Sequence, residues 1–545
     1  MYVLTVAQMR EIERAADAAG LSYSQMMQNA GRAAAEVILQ RLAGWRLLAR
    51  TESNAAFRVL VLAGPGNNGG DGLVCAQALF DASRSPGGPS LTVQVYLLKA
   101  RATDDPVFAG VHERDIFTAV ASEDMRLRVL RQLASQADLI VDALLGTGRS
   151  RPIDTPLSEI LDVVRASLNH PQDERYASIV ALDGVTGMDY DTGMLDPKAL
   201  QADVTVTFHA PKRGHYCFPA SRANGELVVT PIGIEHLGQS LSPGEDGDVQ
   251  LASDELIRTM LPRREDDSNK GSYGKVLVVG GCIDYSGAPA LAAQAAYRVG
   301  SGLVTLAVPH NIQATVSCLC REATFATLNG TVDYLSREAL PRLAQAMNGL
   351  GERRAIVLGP GMGQGEGTGT FLPGILGLIK NLGTSARVVI DADALNLLST
   401  NPDWPELLPP GCILTPHPGE MARLTGLSVP EVQANRIAHA IAYAHRWGQI
   451  IVLKGAFTVV ANSDHAAIVL PFANSALAVA GTGDVLAGSI AGMLAQGLSQ
   501  MNAAVCGAYL HAKAGDRWRE QHGTAGLLAG DLPQLLPDVL SALRH

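Results

Sequence analysis

The 545-residue sequence lacks several features that would assign it to a specialised class of protein. Its seven cysteines are scattered singly except for Cys318 and Cys320, and no CxxC pair is present. Neither a disulfide framework nor a zinc site is therefore indicated, and free thiols in a reducing compartment are expected. No long basic run accompanies the net charge of −10, which argues against nucleic acid or an anionic membrane as a partner.

The sequence also lacks an apolar leader and a clear membrane-spanning segment. Residues 1–10 contain no apolar run and no small-residue cleavage site, so a cytoplasmic location is expected. Residues 485–512 carry no charged side chain and are long enough to cross a bilayer. Polar residues interrupt that segment, and no aromatic belt or basic flank frames it, so two buried helices are predicted instead.

What the sequence does contain is a globular composition, with 47% hydrophobic and 18% charged residues. A chain of this length exceeds one ordinary core, so two or three domains are expected. After a helical arm over residues 5–46, strands alternate with helices, which predicts a Rossmann-like, doubly wound parallel sheet. The predicted strands are residues 59–62, 93–98, 139–141, 179–182 and 204–208.

A polar stretch rich in glycine and serine, residues 238–248, interrupts this pattern and predicts a linker. The chain is thereby divided into a first domain, residues 1–237, and a second domain, residues 249–545. The second domain repeats the α/β alternation but is not a copy of the first, since its glycine-rich segment lies near its end. Its predicted strands are residues 276–279, 303–308, 356–358, 388–390, 413–414 and 450–453.

Residues 64–72, with the sequence GPGNNGGDG, follow the first strand and precede a helix predicted from Leu73. Glycine-rich turns between a strand and a helix let backbone N–H groups approach a phosphate. A tight turn without a ligand is the alternative. Asn67, Asn68 and Asp71 favour a binding role, because they add side-chain oxygens to the flexible backbone.

Two further strand ends in the first domain carry acidic residues. Asp142 ends one strand, and Asp183 ends the next and precedes Thr186. Ligands of open parallel sheets bind at the carboxyl ends of strands, so Asn68, Asp142 and Thr186 are predicted to converge as oxygen ligands of a hard cation. Each aspartate taken alone could instead be a helix cap or a turn residue.

In the second domain, Gly481, Thr482 and Gly483 precede Asp484 and an apolar helix. The N–H groups at such a helix start can stabilise a phosphoryl group in transfer, and Asp484 could accept a proton from a substrate hydroxyl. Lys454 follows a predicted strand and could pair with a nucleotide phosphate. A helix-capping aspartate and a solvated lysine are the alternatives.

The segments GPGNNGGDG, VDALLGTG and LDGVTGMDYDTG resemble those of the NAD(P)H-hydrate epimerases, over about residues 5–234. Val185 and Thr186 depart from the Pro and Ser usual there, which leaves the loop geometry open while keeping a hydroxyl ligand. The resemblance implies a K⁺ site at Asn68, Asp142 and Thr186, and Asp183 is the candidate acid–base residue. The substrate contacts that it implies are Asn67, Asn68, Gly69, Gly70, Asp71, Gly146, Thr147, Gly148, Arg149, Ser150, Arg151, Pro152 and Asp183.

Residues 270–275, KGSYGK, and the glycine-rich segment ending at Asp484 resemble the ribokinase-like NAD(P)H-hydrate dehydratases, over about residues 249–543. Asn474 is followed by Ser and Ala where that family commonly has Pro and Gly. The resemblance implies that Asp484 is the catalytic base. It implies contacts to the hydrated cofactor from Ala288, Gly363, His417 and Asp484, and contacts to the nucleotide from Lys454, Gly455, Ala456, Phe457, Thr458 and Gly483.

Together the two resemblances imply a fused repair enzyme for hydrated NADH and NADPH. The first domain would interconvert the R and S forms, and the second would dehydrate the S form with ADP, giving AMP and phosphate. K⁺, and Mg²⁺ with ADP, are the implied ions, and a homo-oligomer is expected. The choice between ADP and ATP as phosphoryl donor and the preference for NADH or NADPH stay open. Two alternatives also stay open, a ribokinase-type kinase for a vitamin precursor and a non-catalytic cofactor-binding scaffold.

Overall fold

The computed structural model describes residues 1–48, 55–102, 104–148, 152–168, 177–235, 247–329, 334–381 and 387–544. The chain divides into two compact units, Tyr2–Ser242 and Pro243–His545 together with Met1. Residues 238–246 of the predicted linker lie outside the described ranges, and residue 248 begins a strand.

The strands of the first unit are β1 Phe57–Ala63, β2 Leu91–Leu97, β3 Phe117–Val120, β4 Leu139–Ala143, β5 Ser178–Leu182, β6 Val204–Phe208 and β7 Glu226–Thr230. They form one sheet in the order β3-β2-β1-β4-β5-β6-β7, in which every neighbouring pair is parallel. The predicted strands are confirmed. The sequence did not indicate the two edge strands β3 and β7, because most of their side chains are partly exposed.

Helices cover both faces of this sheet, as predicted for a doubly wound fold. One hydrophobic cluster joins α1 to α4 with alternate residues of β1, such as Val59 and Val61. A second cluster joins α5 to α7 with the intervening Leu60 and Leu62. The helices are α1 Val6–Ala18, α2 Tyr23–Leu48, α3 Asn67–Arg84, α4 Pro106–Glu113, α5 Arg128–Gln136, α6 Leu157–Leu168 and α7 Ala220–Ala223.

The strands of the second unit are β8 Asp248–Leu251, β9 Lys275–Val279, β10 Leu303–Ala307, β11 Thr324–Phe325, β12 Arg354–Leu358, β13 Val388–Ile390, β14 Ile413–Leu414, β15 Ile450–Leu453, β16 Val459–Ala461 and β17 Ala466–Val469. The sheet order is β11-β10-β9-β12-β13-β14-β15-β16-β17-β8. β16 runs antiparallel to both neighbours, and the other pairs are parallel. The predicted α/β domain is confirmed, although the short strands β8, β11, β16 and β17 were not predicted.

Between β8 and β15, one to three helices of the second unit lie between successive strands, and the last three helices follow one another at its end. They are α8 Asp254–Met260, α9 Gly287–Arg298, α10 Gln313–Leu319, α11 Leu340–Asn348, α12 Glu366–Asn381, α13 Asp393–Leu398, α14 Trp404–Leu407, α15 Pro418–Thr425, α16 Val429–Ala434, α17 Arg436–Trp447, α18 Thr482–Ala495, α19 Gln500–His522 and α20 Leu532–Arg544.

The long uncharged segment forms α18 and the first part of α19, which confirms the prediction of two buried helices. α18 packs against α9 and α19 through glycines. A Cβ on Gly488 would lie 2.1 Å from the Ala292 carbonyl oxygen, and one on Gly507 would lie 2.6 Å from Ile490 Cα. Among the described residues, no helix is long and apolar enough to cross a membrane.

We expect Gly488→Ala to destabilise the second unit, because the added methyl group would force α18 away from the α9 backbone. Overpacking of this kind costs roughly 1–3 kcal/mol, which outweighs the gain of about 1 kcal/mol from replacing a helical glycine. Urea unfolding monitored by tryptophan fluorescence measures the free energy of unfolding, since Trp404, Trp447 and Trp518 all belong to this unit.

Gly377→Ala in α12 is the matched control. No atom of the described chain outside its own helix backbone and neighbours lies within 4 Å of the added Cβ position. This variant should be as stable as the parent or more so. Equal urea midpoints for Gly488→Ala and Gly377→Ala would contradict the conclusion that α18 packs too closely on α9 to accept a methyl group.

Candidate functional sites

The first unit contains a cavity of about 1100 Å³ at the carboxyl ends of its central strands. The segments that follow β1, β4, β5 and β6 meet there, together with α1. Such an edge is where open parallel sheets bind ligands. The polar and glycine residues that line the cavity include Arg10, Glu13, Asn67, Asn68, Asp71, Gly146, Thr147, Gly148, Asp183 and Lys212.

The helix after the first glycine segment begins earlier than predicted. α3 starts at Asn67 rather than at Leu73, with Gly66 as its N-cap. The early start brings backbones into close contact: a Cβ on Gly69 would lie 1.9 Å from the Gly64 carbonyl oxygen, and one on Gly64 would lie 1.8 Å from that of Leu144. The segment is therefore a tight turn followed by a helical N-terminus rather than an extended loop.

The three predicted cation ligands come together in a buried cluster. Thr186 donates hydrogen bonds from its hydroxyl group to Asp142 Oδ1 (2.6 Å) and from its backbone to Oδ2 (2.9 Å). Asn68 Nδ2 donates to the Leu145 carbonyl (2.9 Å), and the Leu145 N–H donates to Thr186 Oγ1 (3.1 Å). Asn68 Oδ1 is buried without a hydrogen-bond partner among the described residues, so one acceptor oxygen is left over.

Asp183 lines the cavity and forms a buried ion pair with Lys212. The Lys212 ammonium lies 2.5 Å from Asp183 Oδ1, and only 1% of the lysine side chain is exposed. Thr207 also donates a hydrogen bond to Oδ1 (3.0 Å). Burial opposes ionisation of Asp183, but the adjacent ammonium outweighs it and holds the pKa of this carboxyl group below its usual range.

Two other carboxyl groups of the same cavity shift in the opposite direction. Burial, followed by the negative charges of Asp183 and Glu13, raises the pKa of Asp71 well above its usual value. Burial also raises the pKa of Glu13. The cavity therefore combines a carboxylate that stays ionised with a carboxyl group that tends to keep its proton, a division typical of acid–base sites.

The remaining residues predicted for the first site either do not line this cavity or lie outside the described residues. Gly69 and Gly70 lie in the first turns of α3 and are not among the residues that line the cavity. Pro152 lines a smaller cavity of about 330 Å³ that shares Gly146 with the first. Arg149, Ser150 and Arg151 lie outside the described residues.

Sequence reasoning missed Lys212 and Glu13 as candidate residues. Lys212 follows the end of β6 in the segment Ala210-Pro211-Lys212, and a lysine at that position of a parallel sheet could have been noticed. Glu13 is one of three acidic residues on α1, and only the tertiary structure identifies it as the one that lines the cavity, beside Arg10 and Arg14.

The second site lies at the start of α18. Gly481 caps the helix with φ of 91°, a conformation that favours glycine. A Cβ on Gly483 would lie 3.4 Å from Lys454 Nζ and 3.7 Å from Asp391 Oδ2. The structure thus brings the glycine segment, Asp484 and the lysine together, although they are separated along the chain.

Carboxylates surround Lys454. Its ammonium lies 2.7 Å from Asp391 Oδ1 and 3.5 Å from Glu420 Oε2. These two negative charges outweigh burial and raise the pKa of Lys454. Thr415 donates a hydrogen bond to the same Asp391 oxygen (2.7 Å), whereas Asp391 Oδ2 is buried without a hydrogen-bond partner among the described residues. The sequence indicates that the segments holding Asp391 and Glu420 follow strands at the site edge, but it gives these two residues no role, because each resembles a strand-end or helix-cap residue.

Asp484 lies near these groups and has a raised pKa. Burial, followed by the charge of Asp391, raises its pKa to about 7. A carboxyl group with such a pKa can accept and release a proton near neutral pH, as a general base requires.

The remaining predicted residues of the second unit surround this cluster. His417 caps α15, where its Nδ1 accepts a hydrogen bond from the Gly419 N–H (3.0 Å). Gly363 donates its N–H to Asp393 Oδ2 (2.9 Å). A Cβ on Gly361 would lie 3.0 Å from that of Ala288, which is in the first turn of α9. Lys454, Gly455, Ala456, Phe457 and Thr458 form a turn in which Gly455 and Phe457 have positive φ.

Among the described residues, no group of three or more His, Cys, Asp or Glu side chains is arranged to hold a metal ion by itself. All seven cysteines are free thiols, as expected, and Cys318 is exposed.

Two protein-family models match the chain. The model described as NAD(P)H-hydrate dehydratase matches residues 276–538, and the model described as YjeF-related protein N-terminus matches residues 23–214.

Full-length relatives are similar to both units. The chain is similar to proteins called bifunctional NAD(P)H-hydrate repair enzyme. The one from Moorella thermoacetica is 36% identical over 100% of this chain and 98% of the relative, and the one from Coxiella burnetii is 35% identical over 96% of each. The Escherichia coli protein of the same name is 32% identical over 97% of this chain and 91% of its own.

A solved structure from Bacillus subtilis, an ADP/ATP-dependent NAD(P)H-hydrate dehydratase co-crystallised with ATP and Mg²⁺, is 33% identical with a TM-score of 0.46. It covers 54% of this chain and 99% of its own. Because relatives above 30% identity extend across both units and nearly their own full length, this chain belongs to the family of bifunctional NAD(P)H-hydrate repair enzymes.

Proposed function

We propose that the two activities are divided between the two units. Residues 1–237 would interconvert the R and S forms of hydrated NADH and NADPH. Residues 249–545 would dehydrate the S form with ADP, giving AMP and phosphate, and residues 238–248 would link the two domains. Interconversion makes both forms available to the dehydration step, so that neither accumulates.

The observation that carries the dehydration proposal is the cluster of Asp484, Lys454 and Gly483 at the start of α18. Asp484 would accept the proton of the substrate hydroxyl, whose oxygen then attacks the β-phosphorus of ADP and displaces AMP. The N–H groups of the glycine segment would stabilise the charge that develops on the transferred group. Hydroxide is a poor leaving group and phosphate a good one, so loss of phosphate and a ring proton then restores the double bond.

The nucleotide would bind at residues 454–458 and at Gly483, and the hydrated ring would lie near Ala288, Gly363 and His417. Asp391 and Glu420 would hold Mg²⁺ together with the ADP phosphates. The unpartnered Asp391 Oδ2 fits this role, since Mg²⁺ prefers oxygen ligands and usually shares one or two carboxylates with substrate phosphates. The ion would neutralise charge on the transferred phosphoryl group.

In the epimerase unit, Asp71 and Asp183 are the proposed acid and base. Asp71, which tends to keep its proton, would deliver it to the departing hydroxyl group. Asp183, which stays ionised, would accept a proton from the water that adds to the other face of the same carbon. The residues proposed to bind substrate around them are Asn67 to Asp71, Gly146 to Pro152 and Asp183.

The proposed K⁺ site consists of Asn68, Asp142 and Thr186. Carboxylate, amide and hydroxyl oxygens suit a hard cation, and Asn68 Oδ1 lacks any other partner among the described residues. Burial raises the pKa of Asp142, so a cation there would compensate a carboxylate charge that is otherwise costly to bury. The ion would orient the Asn68 side chain beside the substrate.

Asp484→Asn should lower kcat for ADP-dependent dehydration by roughly 10²–10⁴-fold, because the amide cannot accept the hydroxyl proton. The recovery of reduced-nicotinamide absorbance from hydrated NADH and ADP measures dehydration. Epimerisation by the same variant, measured by separating the R and S forms, should be unchanged.

Asp464→Asn, a change at an exposed residue in the β16–β17 turn, is the control and should retain both activities. Full dehydration by Asp484→Asn would exclude this base, and accumulation of a phosphorylated product would favour the kinase alternative.

Asn68→Ala should lower the epimerisation rate and abolish its dependence on potassium, because one ligand of the proposed site is removed. The rate is measured while KCl is replaced by tetramethylammonium chloride at constant ionic strength. Dehydration of the S form by the same variant serves as the internal control and should not change. An unaltered chain whose epimerisation rate does not respond to potassium would contradict the cation site.

A further inference from the structure

Asp183 has an uncommon backbone conformation. Its φ is 62°, in the left-handed region that side chains other than glycine seldom occupy. It follows directly after β5, and its N–H donates to the Val206 carbonyl of β6 (2.7 Å). Strain of this kind persists only where the surroundings over-determine the conformation.

Lys212 cannot act on substrate through its ammonium group, because that group is already fully engaged. Nζ donates hydrogen bonds to Asp183 Oδ1 (2.5 Å), Thr207 Oγ1 (3.1 Å) and the Phe208 carbonyl (3.3 Å). An ammonium group has three N–H donors, and these acceptors use all of them. Both the lysine and Thr207 contact Oδ1, which leaves Oδ2 of Asp183 as the oxygen available to a substrate.

His215, in the turn Arg213–Tyr216, links Asp183 and Lys212 through their backbones. The Lys212 N–H donates to His215 Nδ1 (2.9 Å), so the ring proton lies on Nε2, which is 2.9 Å from the Asp183 carbonyl oxygen and donates to it. Burial, followed by the Lys212 charge, lowers the pKa of His215 to about 4, so this neutral tautomer holds across the neutral range.

We propose that Lys212 and His215 are positioning residues of the epimerase, which act on the reaction only through Asp183. Lys212 keeps the carboxylate ionised and orients it, and His215 holds the Asp183 backbone at its positive φ. This inference rests on the proposed function of Asp183 as the base, and it adds two residues that make no contact with the reacting atoms.

The charges around Asp183 determine what removing Lys212 would do. Lys212 is the cation that lowers the pKa of Asp183 most. The acidic groups near it are Glu13 on α1 and Asp71 on α3. Among the described residues, Tyr190 and His215 also interact with it, and both are neutral because burial raises the pKa of Tyr190 and lowers that of His215. Without the lysine, burial and the two acidic neighbours remain, so the pKa of Asp183 must rise.

The experiment compares the pH profiles of epimerisation by the full chain carrying Lys212→Met, Lys212→Arg or Lys198→Met. In Lys212→Met, the acidic limb of kcat/KM should move to higher pH by about one unit or more. Lys212→Arg keeps the positive charge, so its limb should stay near that of the parent. Lys198 pairs with Asp162 (2.6 Å) on an exposed surface, and its loss should leave the profile unchanged.

His215 is tested by its effect on kcat rather than on the pH profile. His215→Phe removes both hydrogen bonds and should lower kcat by about 10-fold or more, because a small displacement of the catalytic carboxylate is costly, with KM and the acidic limb little changed. His215→Gln retains a donor and an acceptor and should recover part of the lost rate. Circular dichroism and ADP-dependent dehydration by each variant identify loss of folding.

The outcomes distinguish failure of the two positioning roles from failure of the proposed function. An acidic limb that does not move in a folded Lys212→Met chain would overturn the role of the lysine, as would an equal shift in Lys212→Arg. If Lys212→Met does not fold, a retained kcat in His215→Phe overturns the proposal and a selective loss rescued by Gln supports it. Absence of epimerisation in the unaltered chain would overturn the proposed function itself, and this inference with it.

Discussion

Parallel strands have a directional consequence on which both units of this protein depend. Every strand of a parallel run ends at the same edge of the sheet, so segments that follow different strands meet there. In the first unit, the segments after β1, β4, β5 and β6 meet around one cavity. In the second unit, those after β13, β14 and β15 bring Asp391, Glu420 and Lys454 together, although more than sixty residues separate the first from the last.

The same electrostatic arrangement occurs at both edges. A buried lysine in each unit is paired with one aspartate, Lys212 with Asp183 and Lys454 with Asp391. Further carboxyl groups nearby, among them Asp71 and Asp484, have raised pKa values because burial and the neighbouring negative charges disfavour a second ionised group. In each unit a buried lysine pairs with a carboxylate, and a further carboxyl group nearby, Asp71 or Asp484, has a raised pKa, which is about 7 for Asp484.

Close backbone packing gives these groups their positions. Gly64 and Gly69 allow the turn after β1 to touch its own helix and the segment after β4, and Gly488 allows α18 to lie directly on α9. These contacts fix the starts of α3 and α18, which present backbone N–H groups at the two sites. A side chain at any of these glycines would move a helix start, and with it the residues that the helix carries into the site.

The sequence by itself determined the α/β class, the buried strands and the polar residues at their ends, because apolar runs and glycine-rich turns are local signals. It also indicated the segments that hold Asn68, Asp142 and Thr186, which lie together in the structure. Partly exposed edge strands such as β3 and β7 gave no comparable signal. Only the tertiary structure decided which charges meet. Lys212, His215, Asp391 and Glu420 act through pairings between distant segments, and burial, which no local pattern reports, shifts the pKa values of His215 and Glu420.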